Sequence, residues 1–490
     1  LFAALSVAAL LPIAATRLPP ILDYPNHLAR MHVLASVDRS PDIARYYQVR
    51  WAPIPDLAFD LIVPFLARLV PVEAAMRLAL GGMLLGLAGG CITLHRVAFG
   101  RWSFWPMTAF LLLYNRMMLW GFLNYLAGLA LALWALAAWI ALERRPVVVR
   151  IGIGAVTATA VYFAHLAAFG CYAVALVAYA LSSASEVAGG YPARSRLIAA
   201  LPALASLIPA ALLFLVSPTS AAQGEISFGN PFRKLDLPIS IFDNYNRALD
   251  GGTFAILLIA VILGFTRRRI LLHARLRWSV LGLFAAFLLL PSRLISTAGI
   301  DHRLPVAIAF LLVAATDWNE VSSVTQRNIG GLLAVLLIVR LTVVGVSWNS
   351  ADAVFDSLLP AFSAIDPGAT VAVAAPAHDV QAGAAPLLHF PTLAVLYRDA
   401  FVPTLFADPT QQPIIFTPEA SRLASEADPF RLWQQIAAGA PIKLPKYDYL
   451  MVIDPPRAVR HIPGLDATLL FDSPRFAILG LKRVAPEHPP

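Results

Sequence analysis

Between Leu22 and Arg30 the chain reads Leu-Asp-Tyr-Pro-Asn-His-Leu-Ala-Arg, just after its first apolar segment. That stretch holds a carboxylate (Asp23), an imidazole (His27) and a guanidinium (Arg30) where the chain is expected to leave a bilayer. A carboxylate in such a place can deprotonate an acceptor hydroxyl or hold a divalent metal, because burial and nearby cations both move its proton affinity. The plainer reading of Asp23 is an interfacial ion pair, or a charge near the start of a helix opened by Pro25. His27 and Arg30 follow Asp23 by four and seven residues. If a helix begins early enough, one face presents all three. Such a face can grip a phosphate or sugar hydroxyls, and it can equally be the solvated side of an interfacial helix.

Further chemistry-bearing residues fall at the ends of apolar runs. His165 lies in Tyr162-Phe163-Ala164-His165-Leu166, between two of them. A histidine there either caps a carbonyl or serves a site. Arg116, in Asn115-Arg116, either snorkels to headgroups or binds phosphate. Asn124 is polar within an apolar run and needs a partner, usually on a neighbouring helix. Arg293 precedes Asp301-His302-Arg303. The Asp there can cap a helix, yet arginine at membrane depth suits phosphate, since its planar fork donates two bonds at once. Arg340, inside a later run, needs a counter-ion or must snorkel. There is no phosphate loop, dinucleotide fingerprint, HExxH or GxSxG. A soluble nucleotide has no visible site, and a donor delivered within the membrane fits better.

The elements that position these residues are membrane helices. Of 490 residues, 59% are hydrophobic and 13% charged, with a mean hydropathy of +0.71. Soluble domains carry roughly twice that charge. The apolar runs are continuous rather than alternating, which indicates helices and not a barrel. The net charge of +8 comes from basic residues clustered in short loops, as orientation signals are. No basic stripe with interleaved aromatics suggests nucleic acid. Cys91 and Cys171 sit in apolar runs and read as small hydrophobes, with no metal-ligand spacing.

The runs give about eleven spans: Leu1–Thr16, Ala74–Leu94, Phe104–Tyr114, Trp120–Leu142, Val147–Phe163, Ala167–Leu181, Leu197–Val216, Thr253–Phe265, Trp278–Leu290, Leu304–Ala315 and Ile329–Val346. The first is short and reads as a truncated helix rather than a signal-peptide core, with no basic n-region or clear cleavage site. The long first loop, residues 17–73, includes Leu57–Val70. Pro64, Asp60 and Arg68 interrupt that stretch, so it reads as helices on the interface. Arg96/Arg101, Arg144/Arg145, Arg194/Arg196, Arg267–Arg277 and Arg327 fall on one side if the spans alternate. The positive-inside rule makes that side cytoplasmic. The first loop, His165, residues 293–303 and everything after Trp348 then lie outside.

Residues 348–490 change character. Ala369–Ala374, Tyr449–Ile453 and Phe476–Lys482 read as buried strands. Thr417-Pro418 and Asp428-Pro429 read as N-caps followed by first-turn prolines, opening helices Pro418–Ala427 and Pro429–Ala438. The expected architecture is an α-helical polytopic membrane domain, residues 1–347, followed by a small extracytoplasmic α/β domain large enough for its own core.

This pattern resembles the GT-C superfamily of integral-membrane glycosyltransferases. Its members place a catalytic Asp in the first extracytoplasmic loop, follow it with interfacial helices, and in bacteria often carry a soluble domain after the last span. Asp23, Pro53–Val70 and Ser350–Pro490 hold those positions here. Many members have a second acid beside the first-loop Asp or in the next outer loop. Here Tyr24 follows Asp23, and the Tyr114–Gly121 turn has no acid.

The resemblance implies a bacterial cytoplasmic-membrane enzyme that moves a sugar from a polyprenyl-phosphate donor to a lipid-linked or cell-envelope acceptor. Asp23 would be the general base, and Arg293, Arg303 and His165 would bind the donor phosphate. Whether a divalent metal assists is left open. Two rivals stand beside it. A transporter predicts paired half-helices or a repeat, and neither is visible. A catalytically silent scaffold subunit with a membrane-protein partner fits the missing second acid.

Overall fold

The computed structural model describes residues 1–186, 193–294, 297–318, 321–377 and 387–482. Tertiary contacts divide the chain into two units. The first holds Leu1–Ala15, Ala52–Phe59 and Arg77–Ser347, and the second holds Thr16–Trp51, Asp60–Met76 and Trp348–Pro490.

The first unit is helical because no other open structure satisfies every backbone amide in lipid. Among the described residues, six helices are long and apolar enough to cross a membrane: Val72–Phe99, Leu123–Ala141, Val147–Ala164, Leu197–Val216, Arg247–Thr266 and a long one starting at Ser323. Three shorter apolar helices accompany them, Phe2–Ala15, Leu166–Ser182 and Leu276–Leu289. Ile300–Ala315 is a further helix, with a mostly buried face. Of the eleven expected spans, Phe104–Tyr114 departs most from a helix that crosses. It contains an eight-residue 3-10 helix, Trp105–Leu112, almost wholly buried. At ~2.0 Å per residue it covers ~16 Å, about half a hydrocarbon core. Arg340 has the counter-ion its burial requires: Nη1 meets Asp250 Oδ1 at 2.7 Å, and Nη2 donates to the Phe242 carbonyl at 2.7 Å.

Small residues let these helices approach closely. A Cβ added to Gly128 would stand 2.7 Å from Ala168 Cβ and 3.4 Å from His165 Cβ. Helix Leu123–Ala141 therefore lies close against helix Leu166–Glu186, one turn from Tyr125.

The second unit is built on a four-stranded sheet in the order Val371–Ala374, Tyr449–Ile453, Phe476–Leu481, Ala467–Asp472. The first pair is parallel and the others antiparallel. The two inner strands are apolar runs buried for most of their length. Helices Pro418–Glu426 and Pro429–Ala437 start as the sequence indicates. Thr417 accepts from Ala420 N–H at 3.3 Å, and Asp428 from Arg431 N–H at 2.7 Å. The first-loop segments, read from the sequence as part of the membrane domain, are integral to this unit. Tyr47–Val49 pairs antiparallel with Ile414–Phe416, matching Tyr47 to Phe416. Arg17 and Leu18 donate their backbone N–H groups to the Asp352 carboxylate at 2.9 Å each.

Candidate functional site

Helix Tyr24–Ser36 carries the polar stretch. Asp23 occupies its N-cap position, with Pro25 in the first turn. The Asp23 side chain makes no capping bond. Its Oδ1 instead meets Nε2 of His389 at 3.2 Å, with side-chain exposures of 16% and 15%. This carboxylate is therefore presented rather than locked in the core. His27 donates its backbone N–H to the Asp23 carbonyl at 2.9 Å. Asp23, His27 and Arg30 thus share one helical stripe, yet their side chains diverge. The His27 ring lies edge-on to Phe406, 6.3 Å between centroids. Arg30 is fully buried, and its Nη2 meets Asp60 Oδ2 at 2.9 Å. Asp60 supplies an acid to this stretch, from within Leu57–Val70.

Asn26 does what the sequence reading did not assign to it. Fully buried, it donates from Nδ2 to the Thr404 carbonyl at 2.8 Å, and its Oδ1 accepts from Phe406 N–H at 2.8 Å. The same Nδ2 lies 3.4 Å from His389 Nδ1. Further along the helix, His32 Nε2 meets Asp399 Oδ1 at 2.8 Å, and Ser40 donates to Asp399 Oδ2 at 2.7 Å.

In the first unit, the expected phosphate-binding residues divide by environment. Arg303, on helix Ile300–Ala315, is 5% exposed, and its guanidinium lies over the Phe122 ring at 4.4 Å. Tyr125 fixes the helix by donating its hydroxyl to the Arg303 carbonyl at 2.7 Å. The His165 ring stands edge-on to Tyr125 at 5.5 Å. Ala167 N–H donates to His165 Nδ1 at 3.0 Å, so the neutral ring carries its proton on Nε2. His165 is thereby both a helix cap and a ring whose remaining nitrogen is a donor. Asp301 is buried. Ser292 donates to its Oδ2 at 2.6 Å, while Oδ1 has no hydrogen-bond partner among the described residues. Arg293 lies apart from this cluster in setting: it is exposed, on a two-residue strand paired with Thr297–Ala298.

Arg116 opens helix Arg116–Trp120 and pairs its guanidinium with the Asp243 carboxylate, over the Trp120 ring. Any phosphate at Arg116 must compete with Asp243. Asn124 clamps backbone. Its Nδ2 donates to the Asp56 carbonyl at 2.6 Å, and its Oδ1 accepts from Phe59 N–H at 2.8 Å. Leu57 N–H and Tyr162 OH complete the clamp on the Phe163 and Pro53 carbonyls, at 2.8 and 2.7 Å. Asp56 sits inside it at φ 136°, a conformation that costs a non-glycine residue about 1–3 kcal/mol. Asn124→Ala is therefore expected to destabilise the protein by about 1–3 kcal/mol through two unsatisfied backbone groups. Thermal unfolding in detergent reads this out, and an unchanged midpoint would show that the clamp is dispensable.

No group of three or more His, Cys, Asp or Glu side chains among the described residues could hold a metal ion. No protein-family model matches the chain, and no curated protein matches it in sequence. Among solved structures it is similar to ArnT from Cupriavidus metallidurans bound to undecaprenyl phosphate. The TM-score is 0.58 at 14% identity, over 98% of this chain and 97% of that one. The fold is GT-C-like. At that identity the likeness concerns the path of the backbone. The GT-C-like path includes both the many apolar helices and the small C-terminal sheet region.

Proposed function

We propose that this chain is a membrane glycosyltransferase, moving a sugar from a polyprenyl-phosphate donor to a lipid-linked or cell-envelope acceptor. It acts in the bacterial cytoplasmic membrane, with Asp23 and the C-terminal sheet outside the cytoplasm. The observation that carries this reading is Asp23 itself. In a GT-C-like fold, soon after the first apolar helix, it is a carboxylate taken up by neither a cap nor a buried ion pair. The undecaprenyl phosphate bound to ArnT supports the lipid class of the donor.

In the transfer, the acceptor hydroxyl gives its proton to the Asp23 carboxylate as its oxygen bonds to the anomeric carbon. The bond from that carbon to the donor phosphate breaks, and its electron pair leaves on the phosphate oxygen. Polyprenyl phosphate and the glycosylated acceptor are the products. Within the first unit, Arg303 is a buried cation and His165 a hydrogen-bond donor, groups of the kind that bind a donor phosphate. Cation and donor are worth most where water is excluded.

Native mass spectrometry of the gently purified protein tests this. A co-purifying polyprenyl phosphate or polyprenyl-phosphate sugar is expected. Arg303→Ala should weaken its binding about 10–100-fold, the value of a charge-assisted contact. Arg303→Lys should fall between, since lysine keeps the charge without the planar fork. A stoichiometric protein partner and no polyprenyl lipid would overturn the reading in favour of a scaffold.

A further inference from the structure

The hydrogen bonds around Asn26 settle the state of a residue far away in sequence. Phe406 N–H can only donate, so the Asn26 atom facing it at 2.8 Å is the oxygen. The Thr404 carbonyl can only accept, so the atom facing it at 2.8 Å is the nitrogen. The amide orientation is fixed by backbone groups on both sides. Its second N–H then points at His389 Nδ1, 3.4 Å away. A proton on Nδ1 would confront that donor, so Nδ1 accepts and Nε2 carries the ring proton. Nε2 is the atom 3.2 Å from Asp23 Oδ1. The ring plane is held by Phe406, edge-on at 5.1 Å and 72°.

We infer that His389 is the positioning residue of Asp23, set in its Nε2–H tautomer by Asn26 with Nε2 beside one carboxylate oxygen. The inference rests on Asp23 being the base. The place of His389 beside Oδ1 fixes the rotation of the carboxylate, so Oδ1 is engaged and Oδ2 is left for the acceptor hydroxyl. Through Asn26, the same geometry makes the base depend on how the segment from His389 to Phe406 is seated. That segment and Asp23 belong to the same unit, the one that carries the four-stranded sheet.

Two measurements test this on the full chain in detergent or nanodiscs. The first needs no turnover. With imidazole-15N histidine, the resonances lost in His389→Gln identify His389. A pyridine-type Nδ1 and a pyrrole-type Nε2 are expected at neutral pH. The opposite tautomer, or protons on both nitrogens, overturns the inference.

The second is kinetic. His389→Ala is expected to lower kcat about 10–100-fold, with the donor KM changed less than about twofold. His389→Gln, whose amide nitrogen sits near the place of Nε2, should return kcat to within about threefold of wild type. Wild-type transfer with an unchanged His389→Ala kcat, or a loss confined to KM, overturns the inference and leaves the glycosyltransferase reading standing. The expected tautomer in a chain that transfers nothing supports the pairing and overturns that reading instead.

Discussion

Asp23→Asn is expected to lower sugar transfer by about 10²–10⁴-fold, the usual value of a general base. The protein should fold as before. Asparagine has the same shape and keeps an oxygen in the place of Oδ1, which lies 3.2 Å from His389 Nε2. The helix start should not suffer, because the Asp23 side chain makes no capping bond. No buried ion pair is broken either, since both partners are partly exposed. A change in stability beyond about 0.5 kcal/mol is therefore not expected. What the variant loses is the ability to take a proton. The measurement is transfer from a labelled polyprenyl-phosphate sugar in reconstituted vesicles, with lipid occupancy and the unfolding midpoint followed in parallel. Lost transfer with retained lipid and midpoint supports the assignment. Undiminished transfer would remove Asp23 from the mechanism.

The sequence reveals this fold where local chemistry decides structure. Long apolar runs become helices because the bilayer leaves the backbone no alternative. Thr417-Pro418 and Asp428-Pro429 open helices because the cap oxygen and the fixed proline angle act within one turn. The same runs mislead where apolarity has a second cause. Trp105–Leu112 is apolar because it is buried in protein, and hydropathy does not separate that from contact with lipid. Strands such as Tyr47–Val49 and Ile414–Phe416 escape notice because three residues carry no readable alternation. Their pairing is decided by partners more than 350 residues apart.

The candidate site divides in the same way. Asp23 and Arg303 are conspicuous as ionisable residues at the ends of apolar runs. Asp243, which neutralises Arg116, and His389, which faces Asp23, lie in ordinary polar surroundings. Nothing local marks them. The Arg30–Asp60 pair is not legible either: the sequence offers Arg30 as a phosphate ligand and Asp60 as an interruption of an interfacial stretch, and only the fold joins them. Asp60 lies in the same unit as Asp23, 37 residues on in the chain, and is paired with Arg30.

That pair should give the largest change in stability. Arg30 and Asp60 both have fully buried side chains, joined at 2.9 Å. Nε and Nη1 of Arg30 have no hydrogen-bond partner among the described residues, so Asp60 is the anion that compensates the cation. Removing one member of a buried pair strands the other, at a cost of about 3–5 kcal/mol. Asp60→Asn should therefore lower the unfolding midpoint by about 10 °C, at ~2–4 °C per kcal/mol for a unit of this size. Removing both charges is a different perturbation. Arg30→Met with Asp60→Leu avoids the stranded charge, and such replacements are often neutral or stabilising. The double variant should recover most of the loss. If Asp60→Asn and the double variant are equally destabilised, packing around residue 60 sets the stability and not the charge. If the double variant regains its midpoint yet transfers poorly, the pair is kept to seat helix Tyr24–Ser36. Asp23 stands at the head of that helix, so a shift in its seating reaches the proposed base directly.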